Sequence, residues 1–109
     1  MSAFLSQDPE PEAHHLRGLV ALEAQLLQDA VMEFREALRL NPNLPRVWND
    51  LGVVMEALGN TRDALQCYSL ALQCDPQSEE ARENWADLTM QIEIARVLRK
   101  KEEWAGVAH

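Results

Sequence analysis

Two cysteines, four glycines and an aromatic content of 6% leave this 109-residue chain short of the parts from which disulfide frameworks and many active sites are built. Cys67 and Cys74 lie about 10 Å apart if they share one helix, which is beyond the reach of a disulfide. Neither belongs to a C-x-x-C pair, so redox chemistry and zinc ligation have no motif to stand on, and both are read as free thiols in a reducing compartment. The glycines are too few for a Gly-rich phosphate loop, and no G-x-S-x-G elbow or Asp and His constellation occurs. His14 and His15 are neighbours, and adjacent helical residues point about 100° apart instead of forming the i, i+4 pair of a zinc site. Cys67 sits between Gln66 and Tyr68 with no His or Arg in its own helical turn to activate it. Phe34, Tyr68 and the three tryptophans read as packing and interface anchors. The chain is expected to carry no catalytic residue, no cofactor and no metal.

Basic residues are also scarce. Ten Lys and Arg against eighteen Asp and Glu give a formal net charge of -8, which repels a phosphate backbone and argues against a nucleic-acid partner. Arg99, Lys100 and Lys101 form a basic run too short to track a strand and read as a solvated helix end. Long hydrophobic runs are missing too: charge interrupts every apolar stretch within a few residues, so no segment is suited to span a bilayer. Met1 to Glu12 has neither the basic cluster nor the apolar run of a signal peptide. A cytoplasmic protein with no membrane partner is therefore expected.

What the sequence does hold is helix-forming material. Hydrophobic residues reach 47%, Ala, Leu, Glu and Gln are abundant, and no alternating strand pattern appears. At this length a single domain with a thin, elongated core is expected, because a small chain buries only about two-thirds of its unfolded surface. Residues 11 to 44 align with 45 to 78 without a gap, a period of 34 residues. Pro11, Gly18, Val20, Asp29, Ala30, Ala37, Leu38 and Pro42 recur as Pro45, Gly52, Val54, Asp63, Ala64, Ala71, Leu72 and Pro76, and Phe34 is answered by Tyr68.

In the second copy Trp48, Leu51, Gly52, Ala64, Tyr68, Ala71 and Pro76 fall at the spacing W-x2-L-G, A-x3-F/Y, A and P, with Met55 where an aromatic is usual. This resembles the tetratricopeptide repeat. The small residues suit places where two helices of a hairpin approach closely, and Trp48, Leu51 and Tyr68 fill the space between them. Proline, glycine and capping residues predict helices over about 11 to 24, 28 to 40, 45 to 58, 61 to 74 and 78 to 104. The first copy is weaker, with His14, Arg17, Ala21 and Gln25 in place of the motif residues, and reads as an edge repeat with polar replacements on its outward face. After Pro76, Trp85 and Ala86 keep the phase of Leu51 and Gly52, but Glu93 replaces the next turn glycine, so one long capping helix started by Ser78 is expected. The predicted fold is all-α, an α-α superhelix of two hairpins and a capping helix over 11 to 104, between flexible ends at 1 to 10 and 105 to 109.

The resemblance implies a protein-interaction module whose concave face is lined by the first helix of each pair. Carried onto this sequence, that face holds Glu12, His15, Leu19, Leu22 and Glu23, then Arg46, Asn49, Asp50, Val53, Glu56 and Ala57, then Glu80, Glu83, Asn84, Asp87 and Met90. One subgroup of the family clamps the C-terminal carboxylates of chaperones with lysines, asparagines and an arginine. Its sites correspond here to His15, Leu19, Asp50, Glu80 and Asn84, which supply no fixed positive charge and two of the wrong sign. A basic or amphipathic peptide meeting Glu80, Glu83 and Asp87 is therefore expected, although the same carboxylates also fit a solvated face.

The last helix offers a second surface. Trp85, Leu88, Ile92 and Ala95 recur at helical spacing and are expected to cover the second repeat, whereas Ile94, Val97, Leu98 and Trp104 lie beyond it. Either the helix bends back or another copy of the chain covers them, and self-association is the favoured reading.

Overall fold

The computed structural model describes residues 10–107, which contain five helices and no strand: α1 (Pro11–Glu23), α2 (Leu27–Leu40), α3 (Pro45–Ala57), α4 (Thr61–Cys74) and α5 (Glu79–Val107). Consecutive helices pack on one another along the whole chain, and α1 also touches α3. The result is a one-dimensional stack in which α1, α3 and α5 are the first helices of successive units.

Each element begins and ends for reasons that repeat with the sequence. Pro11 and Pro45 occupy the first turns of α1 and α3, where no backbone N–H is needed. Past α2 and α4 the chain extends at Asn41 and Asp75, whose side-chain oxygens accept the N–H of Asn43 and Gln77, each at 3.0 Å. The carbonyl of Pro42 then accepts the indole N–H of Trp48 at 2.8 Å. One period later Arg82 donates to the carbonyl of Pro76 at the same distance, so the arginine standing in the tryptophan position keeps its tether.

The turn inside each hairpin is a Schellman closure. Leu26 N–H reaches Ala21 C=O at 2.8 Å and Gln25 N–H reaches Leu22 C=O at 3.0 Å; Asn60 and Gly59 do the same to Met55 and Glu56. This closure needs a left-handed residue, which is Gly59 (φ 81°) in the second hairpin and Gln25 (φ 63°) in the first. A side chain is strained there, and a Cβ at Gly59 would meet nothing, so the penalty is purely conformational. Gln25→Gly should accordingly raise stability by about 1 kcal/mol, read as a shift in urea midpoint at unchanged m-value.

Within the hairpins, Gly18 faces Phe34 and Gly52 faces Tyr68, both rings fully buried. Ala30, Ala37, Ala64 and Ala71 are fully buried as well, which lets the helices close up. The four departures in the first copy do not all lie on an outward face. Arg17 and Gln25 are exposed, but Ala21 is buried and His14 is half-buried against α2, where its Nδ1 lies 2.7 Å from Glu33 Oε1. Leu16, Val20, Leu26 and Met32 are exposed there, so the edge is more apolar than the sequence reading expects.

Ser78 caps α5 by accepting the N–H of Ala81 at 3.3 Å. The helix docks on α4 through Ala81, Leu88 and Ile92. Ala95, expected in the same contact, is exposed, and Trp85 is only partly covered. The helix continues to Val107, three residues past its expected end, since Glu102, Glu103 and Ala105 favour helix and a single Gly106 near a terminus does not break it. Of the flexible ends expected, 1–9 and 108–109 lie outside the described residues; Glu10 caps α1 through its carbonyl, and 105–107 belong to α5. No helix among the described residues is long and apolar enough to cross a membrane.

Candidate functional site

The face shared by α1, α3 and α5 is the candidate site, and its helices are joined by polar contacts that recur with the repeat. His15 Nε2 lies 2.6 Å from Asp50 Oδ2, linking α1 to α3. Asn84 donates from Nδ2 to Asn49 Oδ1 at 2.9 Å, linking α5 to α3. His15 and Asn49 occupy equivalent positions 34 residues apart, as do Asp50 and Asn84, so one inter-unit contact is built twice with different side chains. Asn49 is only 2% exposed, and its Nδ2 has no hydrogen-bond partner among the described residues.

These contacts divide the sequence-derived groove residues into two groups. His15, Asn49, Asp50 and Asn84 join neighbouring helices, and Asn49, placed among the ligand contacts by the family resemblance, is buried between α3 and α5. Glu56 accepts the Tyr68 hydroxyl at 2.5 Å, which fixes its carboxylate over the second hairpin. Leu22 and Val53 are half-buried against the core. Left open to solvent are Glu12, Leu19, Glu23, Arg46 and Ala57, and along α5 Glu80, Glu83, Asp87 and Met90. Glu80, Glu83 and Asp87 have no ion-pair partner among the described residues. Beside the face, Pro11, Glu12, His15, Leu44, Pro45, Arg46 and Val47 line an open hollow of about 310 Å³.

The sequence profile of the Tetratricopeptide repeat family matches residues 1–45 and 15–79, more than half of the chain. The chain belongs to the tetratricopeptide-repeat family. It is 34% identical over 83 residues to a peroxisomal targeting signal receptor of Saccharomyces cerevisiae, covering 76% of this chain and 14% of that one. It is 47% identical over 58 residues to a TPR repeat-containing protein of Pseudomonas aeruginosa, covering 53% of this chain and 24% of that one. The chain thus spans less than a quarter of these relatives' length. Among solved structures it is similar in fold to MamA, with a TM-score of 0.75 at 19% identity over 88% of this chain and 61% of that one.

As a tetratricopeptide-repeat protein the chain is a protein–protein interaction module on a helical repeat scaffold. No group of three or more His, Cys, Asp or Glu side chains is placed to hold a metal among the described residues. Burial pushes the Cys67 thiol up to about 11, with Asp63 adding to the shift and Arg35 opposing it. Burial, and next the hydrogen bond to Glu56, push the Tyr68 hydroxyl well above its ordinary value. Both groups hold their protons more tightly folded than unfolded, so their stabilising share is complete below the unfolded pKa and is lost as pH rises. For Cys67 that window runs from about 9 to about 11. The melting temperature should fall across it, and Cys67→Ala should flatten the fall relative to its own neutral-pH value. A thiol reagent at neutral pH should label half-buried Cys74 well before buried Cys67.

Proposed function

We propose that this chain is an adaptor that receives a peptide or helix of a partner protein on the α1, α3 and α5 face, with a preference for basic or amphipathic ligands, and that it is not an enzyme. The observation that carries this reading is the row Glu80, Glu83 and Asp87: exposed, without ion-pair partners among the described residues, and on the same helix face as the apolar Met90. Asp50 is already matched by His15, and Arg46 is the one fixed cation among the residues assigned to the face. A chaperone-tail clamp would need positive charge where Glu80 stands. One relative is named for the targeting signal it receives, which fits recognition of a short peptide by this kind of face. The two free thiols suit a reducing compartment such as the cytoplasm.

Glu80→Lys with Glu83→Lys should weaken a basic amphipathic peptide at least tenfold by fluorescence anisotropy at low salt, about 1.4 kcal/mol, while the melting temperature stays within a few degrees. Unchanged affinity in a folded double variant would remove the acidic row from the ligand site. A second reading, self-association through the distal half of α5, is favoured by the exposure of Ile94, Val97, Leu98 and Trp104.

A further inference from the structure

Beyond Ile92, α5 leaves the repeats, and residues 93–106 are exposed on every side. A bare helical extension of this length is marginal in water on propensity alone. Its apolar residues are not scattered: Met90, Ile94 and Leu98 are 62%, 53% and 55% exposed and recur every four residues. At about 100° per residue, Glu83, Asp87, Met90, Ile94, Leu98 and Lys101 fall within one strip about 80° wide. The acidic row of the groove therefore runs without a break into an apolar stripe that ends on a base.

That stripe is symmetric about Ile94. Met90 stands four residues before it and Leu98 four after; Asp87 stands seven before and Lys101 seven after. A twofold axis through Ile94 lays a second α5 antiparallel on the first, with Ile94 on Ile94, Met90 on Leu98, and Asp87 on Lys101. The broader charges agree. Glu79, Glu80, Glu83 and Asp87 outweigh Arg82 in the first turns, while Arg96, Arg99, Lys100 and Lys101 outweigh Glu93, Glu102 and Glu103 in the distal half. A parallel pair in register would set like charge on like and is disfavoured.

The geometry points to a homodimer in which α5 pairs antiparallel with α5 of a second copy, centred on Ile94 and held in register by Asp87 and Lys101. This deepens the self-association reading and rests on it. Apolar contact supplies the attraction, and the charges at the two ends set direction, since exposed ion pairs contribute little stability by themselves. Because the strip begins with the groove carboxylates, the partner helix and a groove ligand meet on the same side of α5.

The test is sedimentation of the full chain over a dilution series, with Asp87→Lys, Lys101→Asp and the two combined. Each single change should weaken the dimer about tenfold or more. The combination, which restores opposite charges across the axis, should bring the dimer constant back to within about threefold of the native one. Under mild oxidation Ile94→Cys should crosslink two chains. Met90→Cys should not, unless joined by Leu98→Cys, with the native chain as control for Cys67 and Cys74. A chain that stays monomeric at its highest soluble concentration overturns both this pairing and the self-association reading. A dimer that Met90→Cys alone crosslinks, and that the combined charge exchange fails to restore, overturns the antiparallel register and leaves self-association standing. All these positions are exposed, so an unchanged circular dichroism spectrum is expected for every variant.

Discussion

Gly52→Ala should destabilise the protein by about 3 kcal/mol, although it adds a single methyl to a helix. In most helices the same change stabilises by roughly 0.5–1 kcal/mol, because glycine loses more backbone freedom on folding. Here a Cβ would stand nearest Tyr68 Cε1 and only 2.7 Å from Cδ1 of the same ring, well inside van der Waals contact. Tyr68 is fully buried, and its hydroxyl is tied to Glu56, so the ring has little room to retreat without moving α4 away from α3. Gly106→Ala is the internal control, since nothing lies within 4 Å of a Cβ there, and it should be neutral or mildly stabilising. Urea unfolding of the two variants side by side measures the difference. If both gave the same small gain, close approach of the two helices would not explain why glycine stands in the hairpin.

The second large effect is expected for Asn49→Asp, at about 3 kcal/mol near neutral pH. The substitution keeps the shape and retains an acceptor for Asn84, but it places a negative charge on a side chain 2% exposed to solvent, next in sequence to Asp50. Burying a carboxylate without a cationic partner costs several kcal/mol or drives its pKa up. The sign follows from desolvation: the folded state disfavours the charged form, the carboxyl pKa rises above its unfolded value of about 3.9, and the deficit appears as pH increases through that value. The gap between variant and native protein should therefore narrow on acidification, as read from melting curves between pH 4 and pH 7. A pH-independent deficit would mean that the charge is not what the site rejects.

That second prediction depends on something the sequence hides. Helical spacing states the angle at which a residue leaves its own helix, and the family resemblance then places Asn49 on the ligand-facing side of α3. Neither says how closely the next helix approaches, and α5 approaches closely enough to bury Asn49 and bond it through Asn84. The same blindness covers His15 and Asp50. Their contact joins residues 35 apart, one more than the repeat, so an alignment that compares equals with equals passes over it. Searching for polar residues at the period plus one would have found both links.

Other features were legible because they are local. The prolines at 11 and 45, the ends of α2 and α4 before Pro42 and Pro76, and the small residues where two helices of a hairpin close up all follow from residue types at a fixed period, whereas the structure adds that Gly18 meets Phe34 and Gly52 meets Tyr68. The Gln25 turn was only half legible: the missing glycine suggested a weaker edge repeat, yet the neighbouring closure imposes the same left-handed turn on glutamine. That Ile94, Val97, Leu98 and Trp104 lie beyond the second repeat was legible as apolar spacing, but the continuity of Met90, assigned to the groove, with Ile94 and Leu98 in one exposed stripe was not, since that depends on where the second repeat ends. Once α5 outruns α4, those side chains face water, and the groove and the pairing surface become two parts of one helix face.

The most direct test of the binding account is a titration of the full chain, at concentrations below any self-pairing, with two labelled peptides of equal length at low ionic strength. One is a basic amphipathic helix former, the other a peptide ending in an acidic C-terminal tail. The face described here should bind the basic peptide at least tenfold more tightly, with the preference shrinking as salt screens the Glu80, Glu83 and Asp87 row. Equal or tighter binding of the acidic tail would contradict it.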